Sequence, residues 1–363
     1  MYRIVLLLTA LCSAAIARAA PDAFITAYAR EHRYSGTVLV AERGTISYEQ
    51  SFGLANRAFG VPNTPDTVYK AASITKAFTA VLVLQLAEQR RLDLDAPFGD
   101  YLRAYRGNGA RKVTLRQLLN HTSGLPNFDQ VTDLKTALAQ GIPNYQRPAT
   151  SAQLLDGYCS GDLVAEPGAR FDYNNCDYIV LGRVLEAASG QTFDALLRER
   201  LLEPLKLRHT GLLRQSAIVE RLADTYLYRE DLGALANDLP VYAENWYAAG
   251  SLYATARDLL AFSDALFDGR LLTAESLTAM TTPGLDDYGY GVWSYSMKLA
   301  GGAQRVVKRP GRIMGAQSLW FRLVDADVTL ILLANTDAVD LDEFAAAIAR
   351  KLELPAATAA PGT

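Results

Sequence analysis

The chain has 363 residues, half of them hydrophobic and 21% charged, an ordinary globular composition that can bury a substantial core in one large or two interleaved domains without metals or cross-links. Its formal net charge of −3 gives no electrostatic reason to expect nucleic acid or an anionic membrane as a partner.

The chain opens with one positive charge at Arg3, an apolar stretch from Ile4 to Ile16 and the small-residue site Ala17-Arg18-Ala19. This predicts an export leader over residues 1–19, cut near Ala20, and a periplasmic or secreted protein. A membrane anchor would need about 20 apolar residues and stronger flanks. Cys12 follows a bulky Leu11, which argues against a lipid attachment site. A helix is expected from Asp22 to His32, then a hairpin in "SGTVLVAERGTISYEQSFGLAN" with its turn at Glu42 to Gly44.

Next comes "KAASITKAF", running into "TAVLVLQLAEQRRL". The segment from Ala77 to Leu92 is apolar on enough faces to be a helix buried inside a domain. From about Asp66 to Thr282 the chain reads as helix and loop. The Pro-Gly loop of "VAEPGARFDYNNCDYIVLGRVLEAAS" leads into an amphipathic helix opened by Tyr173-Asn174-Asn175. Sheet formers return in "YGYGVWSYSM", "RVVKRPG", "AQSLWFRLV" and "VTLILLANT", before a helix in "DLDEFAAAIARKLEL" and a tail, residues 353–363, with a disordered composition. The predicted fold is α/β (α+β): one unit over residues 20–352. Its antiparallel sheet comes from both chain ends (22–65 and 283–352), flanked by helices, with a large helical insertion at 66–282.

Among the serines only Ser73 has a lysine three residues on, Lys76, and residues i and i+3 share a helix face if the helix begins at or near Ser73. In the first turn of a buried helix, desolvation and the helix dipole both disfavour the ammonium. A lysine so depressed can take a proton from a serine hydroxyl, and the Ser73 N–H can stabilise an oxyanion. Tyr173 can pass a proton, and Asn175 can hold Lys76 and a substrate amide. Taken by themselves, these two also fit a packed tyrosine and a helix N-cap. The three histidines, His32, His121 and His209, come without a Gly-x-Ser-x-Gly elbow, and His121 suits bracing a loop better than catalysis. Cys159 and Cys176 could form a bridge worth about 3 kcal/mol or remain two buried thiols. No Cys/His spacing suggests zinc. Tyr242, Asn245, Trp246 and Tyr247 could line a pocket or simply pack a loop.

Ser73-x-x-Lys76 followed by Tyr173-x-Asn175 resembles the serine β-lactamase and penicillin-binding-protein superfamily, in the class C branch that includes esterases and D-aminopeptidases. The strings "LLNHTSGLP" (Leu118 to Pro126), "AAGSLYATARDLLAF" (Ala248 to Phe262) and "YGYGVW" (Tyr288 to Trp293) extend the likeness from about Tyr34 to Leu352. The resemblance implies a serine hydrolase acting on a small-molecule or peptide ester or amide through a Ser73 acyl-enzyme, with Lys76 and Tyr173 as proton carriers and no metal or organic cofactor. The candidate substrate-binding residues are Asn175, Arg309, Gly311, Arg312 and Trp246, and the resemblance implies the Arg312 N–H as second oxyanion donor. Where the family carries Lys-Thr-Gly or His-x-Gly, this chain has Arg309-Pro310-Gly311. An arginine keeps the charge but cannot exchange a proton; its fork suits a substrate carboxylate, or an Asp or Glu bridging the two domains. Pro310 is tolerable if its strand is an edge lining the cleft. A class C β-lactamase, a D-amino-acid peptidase or carboxypeptidase, and a non-catalytic binding or sensor protein are the alternatives; the missing Lys-Thr-Gly counts against the first. The oligomeric state leaves no mark in the sequence.

Overall fold

The sheet-forming runs at the two ends of the chain meet in one antiparallel sheet. The computed structural model describes residues 19–131 and 133–353; the expected leader up to residue 18 and the expected tail from residue 354 lie outside the described residues. The strands are β1 (Gly36–Glu42), β2 (Thr45–Phe52), β3 (Trp293–Leu299), β4 (Gly302–Ile313), β5 (Ala316–Leu323) and β6 (Val328–Ala334), in the order β3-β4-β5-β6-β1-β2. β1 and β2 are joined by Arg43 and Gly44 at φ 50° and 72°, the left-handed pair that a two-residue hairpin turn requires.

Four helices matter for the site: α1 (Ala19–Glu31), α2 (Thr75–Glu88), α3 (Asn175–Ser189) and α4 (Leu341–Lys351). Every residue of β6 is buried, because both faces of the sheet are covered. On one face Val38, Val40, Leu330 and Leu332 pack with Ile25 of α1 and Phe344 and Ile348 of α4. On the other, Leu39, Ile331 and Leu333 pack with Phe78 of α2 and with Phe262. α4 is stabilised at both ends by its own sequence: Asp340 caps it, accepting from Glu343 N, and Arg350 and Lys351 meet the negative end of its dipole.

α2 is buried on every side from Thr75 to Leu84, as its composition predicts. Its large apolar side chains, each contributing about 1.5–3 kcal/mol on full burial, offset the several kcal/mol that one buried ammonium costs. It begins two residues before the apolar run, at Thr75, and ends before the run does, at Glu88. Ser73 lies on the turn before it, with Lys76 N–H closing onto Ser73 O at 3.1 Å. After Glu88 the chain becomes polar and Arg90 turns it at φ 57°, so Leu92 lies beyond the helix.

Two features depart from expectation. β4 is not an edge strand, since it lies between β3 and β5. Its pairing with β3 stops at Lys308, however, leaving Arg309 to Ile313 bare on that side. The middle of the chain also holds strands of two to four residues, Tyr69–Ala72, Gly211–Leu212 and Leu252–Ala254, which pair into a small second sheet. Such short strands carry no readable alternation. Among the described residues no helix is long and apolar enough to cross a membrane.

Cys159 and Cys176 form a disulfide, which settles the choice left open by the sequence. It ties the end of the helix Ser151–Tyr158 to the first turn of α3, beside Asn175. Replacing both cysteines by alanine is expected to lower the unfolding free energy by about 3 kcal/mol, the chain-entropy value for such a loop. Urea unfolding of wild type with and without reductant should show the same loss; coincident midpoints would contradict it.

Candidate active site

Ser73 follows Ala72, whose φ of 49° is rare for a residue with a Cβ and turns the chain from the strand Tyr69–Ala72 toward α2. Lys76, one turn on, is fully buried, and its Nζ donates to Ser73 Oγ at 3.1 Å, Asn175 Oδ1 at 2.6 Å and Ala249 O at 2.9 Å. Three acceptors match the three protons of an ammonium. The Ala249 carbonyl is held against α2 because Thr79 Oγ1 donates to the neighbouring Ala248 O at 2.8 Å. Tyr173 is brought to the other side of Ser73, its Oη 2.8 Å from Ser73 Oγ.

Arg309 closes the arrangement. It is fully buried, with Nη2 donating to Tyr173 Oη at 2.5 Å, Nη1 to Tyr288 Oη at 2.9 Å and Nε to Ser73 O at 2.7 Å. The rings of Tyr173, Tyr288 and Trp293 surround its guanidinium at 5.1–5.9 Å. Its burial and these three bonds turn it toward the protein, and no Asp or Glu among the described residues pairs with it, so it is no bridge to an acidic residue. The arginine holds Tyr173 and the Ser73 backbone, while also lining the cleft.

The electrostatics follow from burial and these two cations. Desolvation lowers the Lys76 ammonium to about 8, with Tyr173 opposing the shift and Arg309 adding to it. For Tyr173 burial pulls upward, but Arg309 and then Lys76 outweigh it and leave the phenol below its ordinary value. Buried Tyr288, under the same desolvation, stays well above.

Strand β4 forms the facing wall. A Cβ on Gly311 would stand 2.7 Å from Ala71 O and 2.8 Å from Ser73 N, so only glycine permits this approach. The two-residue Met314-Gly315 loop is closed by the pair Ile313 and Ala316. Ladder alternation then directs the Arg312 N–H, like the missing N–H of Pro310, away from β5 to the bare side. Pro310 thus costs no ladder bond although its strand is internal. The Arg312 side chain itself is exposed and reaches Asp337 at 3.3 Å.

Two cavities meet at Ser73, Tyr173 and Arg312. One, of 490 Å³, runs past Trp293, Arg309 and Gly311 to Asp337 and Asp342; the other, of 440 Å³, runs past Asp129, Asn175, Ile142 and Trp246. Trp246 thus lines the second cavity, stacked on Tyr145 at 3.8 Å. Asn245 and Tyr247 do not line either: Asn245 is spent on Asn144 O and Arg147 O, and Tyr247 packs against Gly182 and Phe193. The N-cap of α3 is Asn174 rather than Asn175. The Asn175 Nδ2, expected to meet a substrate amide, donates to Asp129 Oδ2 at 2.8 Å. His121 braces the loop: its Nδ1 lies 2.7 Å from Asp177 Oδ2 on α3, and its ring packs 4.6 Å from Tyr173. The sequence reading missed Asp129, one of 39 acidic residues, and the guanidinium box of Tyr288 and Trp293; for these two the string "YGYGVW" was the available signal.

The fold recurs in known proteins. A penicillin binding protein from Bacillus halodurans superposes with a TM-score of 0.76 at 28% identity, over 89% of this chain and 98% of its own. A D-stereospecific amidohydrolase from Streptomyces sp. does so with a TM-score of 0.75 at 28% identity, over 92% and 97%. Teichoic acid D-alanine hydrolase of Staphylococcus aureus is 26% identical over 235 residues, 65% of this chain and 55% of its own. The chain spans between 55% and 69% of the length of such curated relatives. The family model described as Beta-lactamase matches residues 21–354, and the chain belongs to the Beta-lactamase family of serine hydrolases.

Proposed function

We propose that the protein is an exported hydrolase that cleaves an ester or amide through an acyl-enzyme on Ser73, and that esters or amides of D-amino acids are its substrate class. The observation that carries the reading is Ser73 Oγ lying between Lys76 Nζ at 3.1 Å and Tyr173 Oη at 2.8 Å. The D-stereospecific amidohydrolase and the teichoic acid D-alanine hydrolase support the substrate class. The Arg3 to Ala19 leader pattern and the disulfide support export into an oxidising compartment.

Lys76 and Tyr173 share one proton: ammonium with phenolate, or amine with phenol, carry the same charge, and either state can accept the Ser73 proton as Oγ attacks the carbonyl carbon. The oxyanion takes hydrogen bonds from Ser73 N–H and Arg312 N–H. Tyr173 then protonates the leaving atom as the carbon–heteroatom bond breaks, and the same pair deprotonates the water that releases the acid and restores Ser73. Arg309, permanently charged, favours the phenolate. A second reading, covalent capture of penicillins, is favoured by the likeness to the Bacillus halodurans protein.

Intact-mass labelling separates these. A fluorophosphonate adduct without a penicillin adduct supports the ester or amide reading, both adducts support penicillin capture, and neither supports a binding protein. The adduct is expected in the "AASITK" peptide, and Ser73→Ala should abolish it; an adduct on Ser123 or Ser251 would refute the assignment. Lys76→Ala and Tyr173→Phe should each lower kcat by at least about 10²-fold, and the double variant by less than the product. Fully multiplicative losses would mean that the two residues act separately.

The pH profile carries the sign of Arg309. The Lys76–Tyr173 pair must lose one proton before it can accept another, so kcat/KM should rise as pH increases through the pair's first ionisation. An opposite charge nearby lowers such a value by about 1–3 units. Arg309→Met should therefore move the acid limb upward by about that amount, with Arg309→Lys in between. An unmoved limb would leave the arginine a purely architectural role.

A further inference from the structure

Asp129 is held in the second cavity by neutral groups alone. Its Oδ2 accepts from Asn175 Nδ2 at 2.8 Å and its Oδ1 from the Tyr145 hydroxyl. Each oxygen keeps a further lone pair, and no Lys or Arg among the described residues forms a salt bridge with it. Beside it Val131, Leu134, Ala137 and Ile142 form an apolar wall floored by the Tyr145–Trp246 stack; the exposed Asp133 and Arg312, the latter paired with Asp337, stand elsewhere in the lining. A carboxylate in such a cavity, lacking a cation of its own, suits a ligand that brings one together with an apolar body. Burial raises its pKa, and the Tyr145 hydrogen bond and Lys76 oppose that rise.

The chain of hydrogen bonds places this carboxylate close to the chemistry: Asp129 to Asn175 at 2.8 Å, Asn175 to Lys76 at 2.6 Å, Lys76 to Ser73 at 3.1 Å. The two arms of the cleft differ in a way that assigns their contents. Arg309, the partner of the phenol that protonates the leaving atom, lines only the first arm, and Asn175, the partner of Lys76, lines only the second. The leaving group then belongs in the first arm and the acyl part in the second.

We infer that Asp129 selects the substrate by receiving a free ammonium on the acyl part, with the apolar wall taking that acyl group's side chain. The substrate class is an ester or amide of an amino acid with an unblocked amine and an apolar or aromatic side chain. This rests on the hydrolase reading above and adds the residue that reads the acyl group.

The test compares three 4-nitroanilides on wild type and Asp129→Asn: D-phenylalanine, N-acetyl-D-phenylalanine and 3-phenylpropionic acid. Wild type should prefer the free amine in kcat/KM by roughly 10- to 100-fold, the scale of one charge-assisted hydrogen bond. Asp129→Asn should erase that preference, mainly through KM, while changing turnover of the other two by less than about threefold. Asp129→Ser, checked for an unchanged melting profile, guards against a misfolded first variant and should show the same selective loss. Equal losses on all three substrates would mean that Asp129 acts through Asn175 on Lys76, and no preference in wild type would mean that no ammonium is read; either overturns the inference alone. A wild-type protein inert to all three and unlabelled by fluorophosphonate overturns the hydrolase reading, and the inference with it.

Discussion

Two fully buried cations, Lys76 and Arg309, stand around one serine and one tyrosine, and neither has a carboxylate partner within salt-bridge reach among the described residues. Burying an unpaired charge is costly, and a protein that does so twice in one place must find compensation nearby. Here it comes from lowering the Lys76 ammonium to about 8 and from lowering the Tyr173 phenol. Both shifts bring the two groups closer to sharing a proton, as the proposed mechanism requires. The departure at position 309 fits this scheme: an arginine cannot lose its proton, so the phenol and the lysine must supply all of the flexibility.

Much of the surrounding structure serves to hold that arrangement at hydrogen-bond distance. Gly311 lets β4 approach the Ser73 amide with no intervening side chain. Arg309 Nε, bonded to Ser73 O, ties the same strand to the Ser73 backbone. From the opposite side, the disulfide and the His121–Asp177 contact fix the start of α3, which carries Tyr173 and Asn175 into place. The left-handed Ala72 is maintained by its neighbours: Thr75 Oγ1 donates to Ala72 O at 2.6 Å and accepts from Leu252 N at 3.0 Å.

The two arms of the cleft have different chemistry, which bears on what enters. In the first, charged lining side chains already have partners: Arg312 is paired with Asp337, and Asp342 with Lys308 behind the lining. In the second, an apolar wall surrounds a carboxylate bonded only to neutral donors. A leaving group of varied polarity suits the first, and an amphiphilic acyl group suits the second.

By itself the sequence determined the two-ended antiparallel sheet, the buried helix and the Ser73–Lys76 pairing, because alternation, apolar runs and an i, i+3 spacing are local properties of the backbone. The resemblance carried by Ser73-x-x-Lys76 and Tyr173-x-Asn175 implied that Tyr173 and Asn175 belong with them. Only the tertiary structure decided that Arg309 bonds to Tyr173, 136 residues away. It likewise decided that Asn175 spends its amide on Asp129, and that β4 is internal yet bare where it meets the cleft. Those outcomes depend on where one strand stops pairing and how a loop packs over a helix end. Contacts between segments so far apart are set by the packing of the whole core, which no local spacing records.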